Sequence, residues 1–282
     1  GGIAKSDDIP EELKSENEEF HQKMVERSVE TDEELLERFF ADEVIPNDEI
    51  RSGLKNGAMA GEIVPVFAAD AYHLVGIQSL LDGIINYMPD PTQRKTFRAI
   101  KRGENEPFDE EVKTDGPGIG FVYKSSVDPF AGKISYIRVF SGEFKGESEW
   151  YNRTADEKVR VGHILSVNGK NLNTIPSAQC GDIVAVTKVD SFDTNHTVAM
   201  TDGELLVEPT IYPQPTVFMA LHCEDKNDED KIGTLIPKYI AGDKTITFER
   251  NHETKQNVLL AAGQMQIDLL VQKIKKQNKI NV

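Results

Sequence analysis

The 282 residues predict a multidomain α/β plus β chain in three parts. Residues 3–90 read as the C-terminal part of an α/β domain, 91–212 as a β-barrel, and 213–282 as a ferredoxin-like α+β domain. Three observations carry this reading. A run that is apolar on both faces precedes an amphipathic helix whose apolar residues follow i, i+3, i+4, i+7, i+8, i+11 from Ile77 to Met88. From residue 92 the pattern changes to strand-like alternation punctuated by Gly and Asn-Gly. After residue 213 strand and helix periods follow the order β-α-β-β-α, the split βαβ pattern.

Pro10 and the Glu-rich turn after it suit a helix N-terminus. The helix from Glu11 to about Val29 has a sparse apolar side of Leu13, Phe20, Met24 and Val25. Thr31-x-x-Glu34 reads as a capping box for a second helix bearing Leu35, Leu36, Phe39 and Phe40. A third helix is expected from near Asn47 to near Gly57. Residues 62–68 read as a buried parallel strand, and Pro89 and Pro91 end the helix that follows. A strand and a helix are half of a βαβ unit, so this part is expected to close an α/β domain. Its acidic helices read as a solvated face.

In the second part, Ile134, Tyr136 and Arg138 alternate with Ser135, Ile137 and Val139. Residues 161–165 and 183–186 continue the strand pattern, and Gly142, Gly146, Asn168-Gly169 and Gly181 mark turns. Many short strands with regular turns make a small barrel. In the third part, Val217, Met219 and Leu221 form a strand. Ile232, Leu235, Ile236, Tyr239 and Ile240 form a helix that Pro237 should kink or shorten. Residues 245–248 and 257–261 are strands, Ile267, Leu270, Val271 and Ile274 mark a helix, and 280–282 open a last strand.

The apolar share of 38% is enough for cores, and no apolar run approaches the ~18 residues of a membrane span. No secretory leader is read, so a cytoplasmic protein is expected. Cys180 and Cys223 cannot build a disulfide framework or a four-ligand zinc site. The six histidines lack metal-ligand spacing, and Gly116-Pro117-Gly118-Ile119-Gly120 lacks the Gly-Lys-Ser/Thr of a phosphate loop and reads as a turn. The glycosylation patterns at Asn152 and Asn195 read as chance matches. The carboxylates of residues 1–60 lie on exposed helices without an apolar pocket to raise a pKa.

A net charge of −16 makes the chain a poor coat for DNA or any nucleic acid. The charge is uneven, however. Residues 1–60 hold 17 acids against 7 bases, whereas residues 238–282 hold 8 bases against 4 acids. Lys273, Lys275, Lys276 and Lys279 cluster around the last helix. Two readings stay open: cations that complement the helix C-terminus, and contacts to RNA phosphates.

Asp8-Ile9-Pro10-Glu11-Glu12 and Glu30-Thr31-Asp32-Glu33-Glu34-Leu35-Leu36-Glu37 resemble a helical stretch late in the GTPase domain of elongation factor G, the ribosomal translocase. Gly61-Glu62-Ile63-Val64-Pro65-Val66, Gly76-Ile77-Gln78-x-Leu80-Leu81-Asp82 and Tyr87-Met88-Pro89 are similar to that domain's end. Asp128-Pro129-Phe130-x-Gly132-Lys133, Arg138-Val139-Phe140-Ser141-Gly142 and Trp150-Tyr151-Asn152 resemble the translation-factor β-barrel after it. Arg160-Val161-Gly162-His163-Ile164 and Ala178-x-x-Gly181-Asp182-Ile183 continue the match, and Gly263-x-Met265-x-Ile267 extends it into the ferredoxin-like domain.

The resemblance implies an internal fragment of a translational GTPase. It would hold the C-terminal part of a P-loop GTPase α/β domain, the barrel and most of the third domain. Its partners would be ribosomal RNA and small-subunit proteins, with no membrane and no DNA. Residues 3–90, the part that resembles the GTPase domain, hold none of the family's phosphate loop, Asp-x-x-Gly turn and Asn-Lys-x-Asp motif. GTP and Mg²⁺ would belong to the parent, and this stretch is expected to hold no cofactor and to be inactive alone. Only the place of the Ser-Ala nucleotide motif is present, as Asp70-Ala71. RNA contact is expected at Lys273, Lys275 and Lys276. Gly263-Gln264-Met265-Gln266-Ile267 stands where the family has Gly-Glu-Leu-His-Leu, which points to a divergent paralogue or a ribosomal-protection relative that dislodges tetracycline. A non-enzymatic ribosome-binding module is the third reading.

Overall fold

The structure, a computed structural model, describes residues 8–128, 131–223, 226–251, 253, 256–278 and 280. It divides into two compact units, Gly1–Asp90 and Pro91–Val282.

The first unit holds α1 (Glu11–Val29), α2 (Glu33–Phe40), α3 (Asn47–Ala60) and α4 (Ile77–Tyr87). Its core is small: Val29, Ile45 and Ile50, with Leu35, Leu36 and Phe39 against them. Helix α1 reaches α3 backbone to backbone, because Gly53 presents no side chain. A Cβ there would collide with the Ser28 carbonyl oxygen. The cap of α2 differs from the expected box. Asp32, not Thr31, is the N-cap, and its Oδ1 accepts from the amides of Glu34 (3.0 Å) and Leu35 (3.2 Å). A carboxylate at this point also meets the positive end of the helix. The Thr31 hydroxyl instead lies 2.8 Å from the Ser28 carbonyl oxygen and 3.2 Å from that of Gly53, tying α1 to α3.

The buried parallel strand expected at residues 62–68 does not form. No neighbouring strand pairs with it among the described residues, and Val64 and Val66 are 80% and 89% exposed. Only one side of the segment packs. Ile63 sits over Gly57 and Phe67 over Gly83, each where a Cβ would clash. The apolar alternation that reads as burial on two faces is therefore satisfied on one. Helix α4 forms where its period places it, yet Ile85 on it is 75% exposed.

The second unit opens with thirteen strands among the described residues. These are β1 (Thr96–Lys101), β2 (Phe108–Glu111), β3 (Ile119–Asp128), β4 (Gly132–Ser141), β5 (Glu143–Lys145), β6 (Ser148–Asn152), β7 (Glu157–Val161), β8 (Ile164–Asn168), β9 (Asn171–Ile175), β10 (Ser177–Gln179), β11 (Ile183–Thr187), β12 (Thr197–Ala199) and β13 (Leu205–Val207). Eight of them make one curled antiparallel sheet in the order β7-β6-β12-β3-β4-β11-β8-β9, beside β13-β1-β2 and β10-β5. The inward face is apolar and alternates as expected on β4, where Ile137 and Val139 are fully buried. Three aromatic rings fill the centre. Phe144 lies 4.3 Å from Trp150 between ring centroids, and Trp150 stacks on Phe192 at 6.2 Å. The indole N–H is not wasted, since it donates to the Lys145 carbonyl at 2.9 Å. Gly169 turns the β8–β9 hairpin at φ 59°.

Most polar groups inside the barrel are paired, the buried exceptions among the described residues being Arg102 Nε and Thr194 Oγ1. Asn152, fully buried, donates through Nδ2 to the Ser191 carbonyl (2.8 Å) and lies 3.0 Å from His196 Nδ1, while its Oδ1 accepts from the Ala155 amide. Arg153 is a buried guanidinium with no carboxylate at ion-pair distance among the described residues. It donates to the carbonyls of Thr201 (3.0 Å), Asp202 (3.2 Å) and Leu205 (3.2 Å) and to the Thr201 hydroxyl (3.2 Å). Burial pushes its pKa down. Asn195 grips the chain beyond the barrel, donating to the Thr210 carbonyl and accepting its amide.

The remainder is β14 (Val217–Leu221), α5 (Lys226–Ile240), β15 (Thr247–Arg250), β16 (Asn257–Ala261) and α6 (Gln264–Asn278). Strand β16 lies between β14 and β15, antiparallel to both. So β14 and β15 run parallel around an inserted hairpin strand, which is the expected split βαβ. Ile232, Ile236, Leu259, Ile267 and Ile274 form its buried centre. Helix α5 runs through Pro237 and ends at Ile240, so the proline shortens nothing before the last turn. Strand β15 begins two residues later than expected, because Thr245 is held in the preceding turn by Asp243. Of the expected last strand, Ile280 is buried, and residues 281 and 282 lie outside the described residues.

Two measurements check this account. Gly53→Ala must separate α1 from α3 and should lower the stability of the first unit by about 1–3 kcal/mol; faster amide exchange in α1 and α3, with α5 and α6 unchanged, is the expected signature. The second concerns His196, whose pKa burial depresses below its ordinary value. Its neutral form is the folded one. That contribution to stability is present above the unfolded value of about 6.5 and is lost as pH falls from there through the lower folded value. Denaturant midpoints followed by the emission of Trp150, the sole tryptophan, should therefore fall as pH is lowered through that window, and His196→Gln should flatten the fall.

Candidate functional site

The site is built where β3 meets the ends of α5 and α6. Strand β3 carries a bulge between Val122 and Lys124 in its register with β4. Tyr123 is the extra residue, so Tyr123 and Lys124 both face outward while Val122 and Ser125 stay buried. The bulge thus re-aims Lys124, whose Nζ lies 5.8 Å from the centroid of the Tyr136 ring. From the other side, Lys238 and Tyr239 sit on the last turn of α5. Lys273 and Gln277 project from one face of α6, four residues apart.

These elements enclose an open cleft of about 390 Å³ lined by Lys124, Lys238, Tyr239, Asp243, Lys273 and Gln277. Its floor depends on Gly242. A Cβ at that position would overlap the Ser125 carbonyl oxygen, so only glycine lets the turn after α5 lie on β3. Lys273 Nζ stands 5.4 Å from the centroid of the Tyr239 ring. Each such cation–π contact is worth about 0.5–1 kcal/mol at an exposed site and holds an ammonium in place. The Tyr239 hydroxyl lies 2.7 Å from Gln277 Oε1 and 2.6 Å from Asn278 Oδ1, and its one proton serves one of them at a time.

Positive charge outweighs negative in the lining, three lysines against one aspartate. No carboxylate lies within ion-pair distance of Lys124, Lys238 or Lys273 among the described residues, although the chain has 48 acids for 32 bases. The one acid in the lining, Asp243, is already occupied. Its Oδ1 accepts from the Thr245 amide and hydroxyl, and its Oδ2 from Gln266 Nε2 at 2.9 Å. Gln266 Oε1 in turn accepts from the Ala262 amide at 3.1 Å. Gln266 therefore acts as a brace between the start of α6 and the turn after α5.

Of the lysines singled out in sequence, only Lys273 enters the cleft. Lys275 and Lys276 are exposed on the last turn of α6 and do not line it. Lys279 lies outside the described residues. Lys124 and Lys238 escape a sequence reading because they are separated by more than a hundred residues, and the bulge that turns Lys124 outward has no sequence mark. The Lys238-Tyr239 pair on an amphipathic helix is the available signal.

Asp70 and Ala71 occupy a different setting, in the first unit. Asp70 closes a tight turn with Val75, exchanging both backbone hydrogen bonds (2.9 and 3.0 Å). Its side chain accepts from the amides of Tyr72 and His73 and meets the His73 ring at 2.6 Å. That ring contact first, and then the amides, hold the Asp70 carboxyl below the usual carboxylate range. The aspartate is thus explained by the turn it builds. Among the described residues no group of three His, Cys, Asp or Glu is placed to hold a metal ion, and no helix is long and apolar enough to cross a membrane. Cys180 and Cys223 are both free thiols.

Known proteins resemble this chain in sequence pattern and in fold. Residues 117–201 match the family described as Elongation factor G domain 2, and residues 212–282 match Elongation Factor G, domain III. The two stretches together exceed half of the chain. A crystal structure of a protein from Thermus thermophilus is similar over 98% of this chain, with a TM-score of 0.79 and 25% sequence identity. This chain spans 39% of the length of that one.

An isothermal titration with GTP and Mg²⁺ should give no heat of binding up to millimolar nucleotide. Affinity in the micromolar range would mean that the Asp70–Val75 turn and its surroundings form a nucleotide site after all.

Proposed function

Because this chain belongs to the elongation factor G family, we propose that it is the middle of a translational GTPase and serves protein synthesis by engaging the ribosome. The observation that carries this reading is the succession of the two family domains, folded as a curled barrel followed by a split βαβ. Residues 3–90 are then the C-terminal part of the parent's P-loop GTPase domain. The parent's cycle needs GTP and Mg²⁺, and the residues here supply neither a phosphate loop nor a magnesium-binding motif. Their part is to carry the nucleotide state of the parent to the ribosome through barrel and βαβ. The setting is cytoplasmic, with ribosomal RNA and small-subunit proteins as partners, and the basic end of α6 (Lys273, Lys275, Lys276) faces RNA. Promotion of translocation is the outcome this reading assigns to the parent.

The five residues Gly263-Gln264-Met265-Gln266-Ile267 favour a second reading. The acid and the histidine of the family pattern are both replaced, and Gln266 is engaged in bracing Asp243 and Thr245. A ribosomal-protection role for the parent accommodates that change. Rescue of tetracycline-inhibited translation by the parent protein distinguishes the two, since a translocase would give none.

The chain should sediment with ribosomes through a sucrose cushion at low salt and be released as salt rises. Free chain remaining in the supernatant at all salt concentrations would reject ribosome engagement by these domains.

A further inference from the structure

Lys124 comes from the barrel, and Lys238 and Lys273 from the split βαβ, yet the three line one cleft of about 390 Å³ with no carboxylate paired to any of them among the described residues. Three ammoniums lining one cleft without a paired acid favour an anion among them. Two features of the backbone bring them together. A bulge turns Lys124 outward, and a glycine allows the turn after α5 to rest on β3. Asp243, the acid in the lining, is held by the neutral donors of Thr245 and Gln266 and keeps its charge, so three ammoniums stand against one carboxylate.

We propose that this cleft binds a phosphodiester of an RNA backbone, and that the bound phosphate fastens the barrel to the split βαβ. The assignment rests on the ribosome-engagement reading and names where RNA is gripped. Two features set the ligand chemistry. No arginine lines the cleft, so it offers point charges, the form in which lysine binds phosphate. The Tyr136 and Tyr239 rings already carry the Lys124 and Lys273 ammoniums. Bases are not stacked on those faces, and the contact reads charge and leaves sequence unread. Lys275 and Lys276 lie outside the cleft and add only a diffuse field.

The test uses the full chain and a labelled RNA of about a dozen nucleotides, in oligo-U and oligo-A forms, by fluorescence anisotropy across a salt series. Both RNAs should bind alike. The slope of log K against log salt should be about −2, from about 0.7 for each of three contacts, and K124Q, K238Q and K273Q should each reduce it by about 0.7. K275Q/K276Q, which touch only the field around the cleft, should flatten the slope by less than any one of the cleft variants. Gly242→Ala, which removes no charge, should weaken RNA binding by parting the two walls; circular dichroism shows that it folds. Loss carried by K275Q/K276Q with K124Q and K238Q neutral would overturn the cleft. So would poly-glutamate competing as well as RNA, or pyrophosphate binding that RNA does not displace. Wild type and the three cleft variants sedimenting equally with ribosomes would overturn the cleft and leave ribosome engagement standing. Absence of wild-type sedimentation would remove that engagement itself.

Discussion

The contact between Gly242 and the Ser125 carbonyl is the constraint on which the second unit's arrangement depends. It is a backbone-on-backbone approach, so it tolerates no side chain, and it fixes where α5 ends against the barrel. The turn that makes it is held from within. Asp243 collects the Thr245 amide and hydroxyl and the Gln266 amide group, and Gln266 reaches back to Ala262. A short polar network thus positions the first residues of α6 relative to the last of α5. Lys238, Tyr239 and Lys273 inherit their places from it, each a short way along a rigid helix.

The first unit is organised by the same device with a different outcome. Gly53, Gly57 and Gly83 let Ser28, Ile63 and Phe67 approach helix backbones closely. These contacts give it a core of only a few side chains, and much apolar surface on α4 and on residues 62–68 stays exposed. Burial, the main driving force for folding, is therefore concentrated in the second unit.

What is legible in the sequence follows from which forces are local. The limits of α1, the spacing on α4, β16 and the order of the split βαβ are readable, because helical and strand periods are written in neighbouring residues. The cap at Asp32 falls one position from the expected one, since Thr31 and Asp32 both satisfy a capping pattern and only tertiary contact with Gly53 claims Thr31. Residues 62–68 carry the apolar pattern of a strand, but a pattern states a need for neighbours without supplying them. Of the site, Lys273 is readable as part of a basic helix end. Lys124 is not, because a bulge decides which way it points, and bulges arise from pairing across strands.

The buried guanidinium of Arg153 sets a limit on how this barrel can evolve. Four acceptors from residues 201–205 surround its planar fork at 3.0–3.2 Å, and a Cβ at Gly203 would crowd it. Lysine has one nitrogen and cannot reach four diverging acceptors, and a neutral residue would strand several carbonyls at once. The position has no stepping stone: each single replacement fails before a second change in the loop could accommodate it. Drift can rewrite the exposed faces of these strands freely, while Arg153 and the small residue opposite it can be abandoned only together.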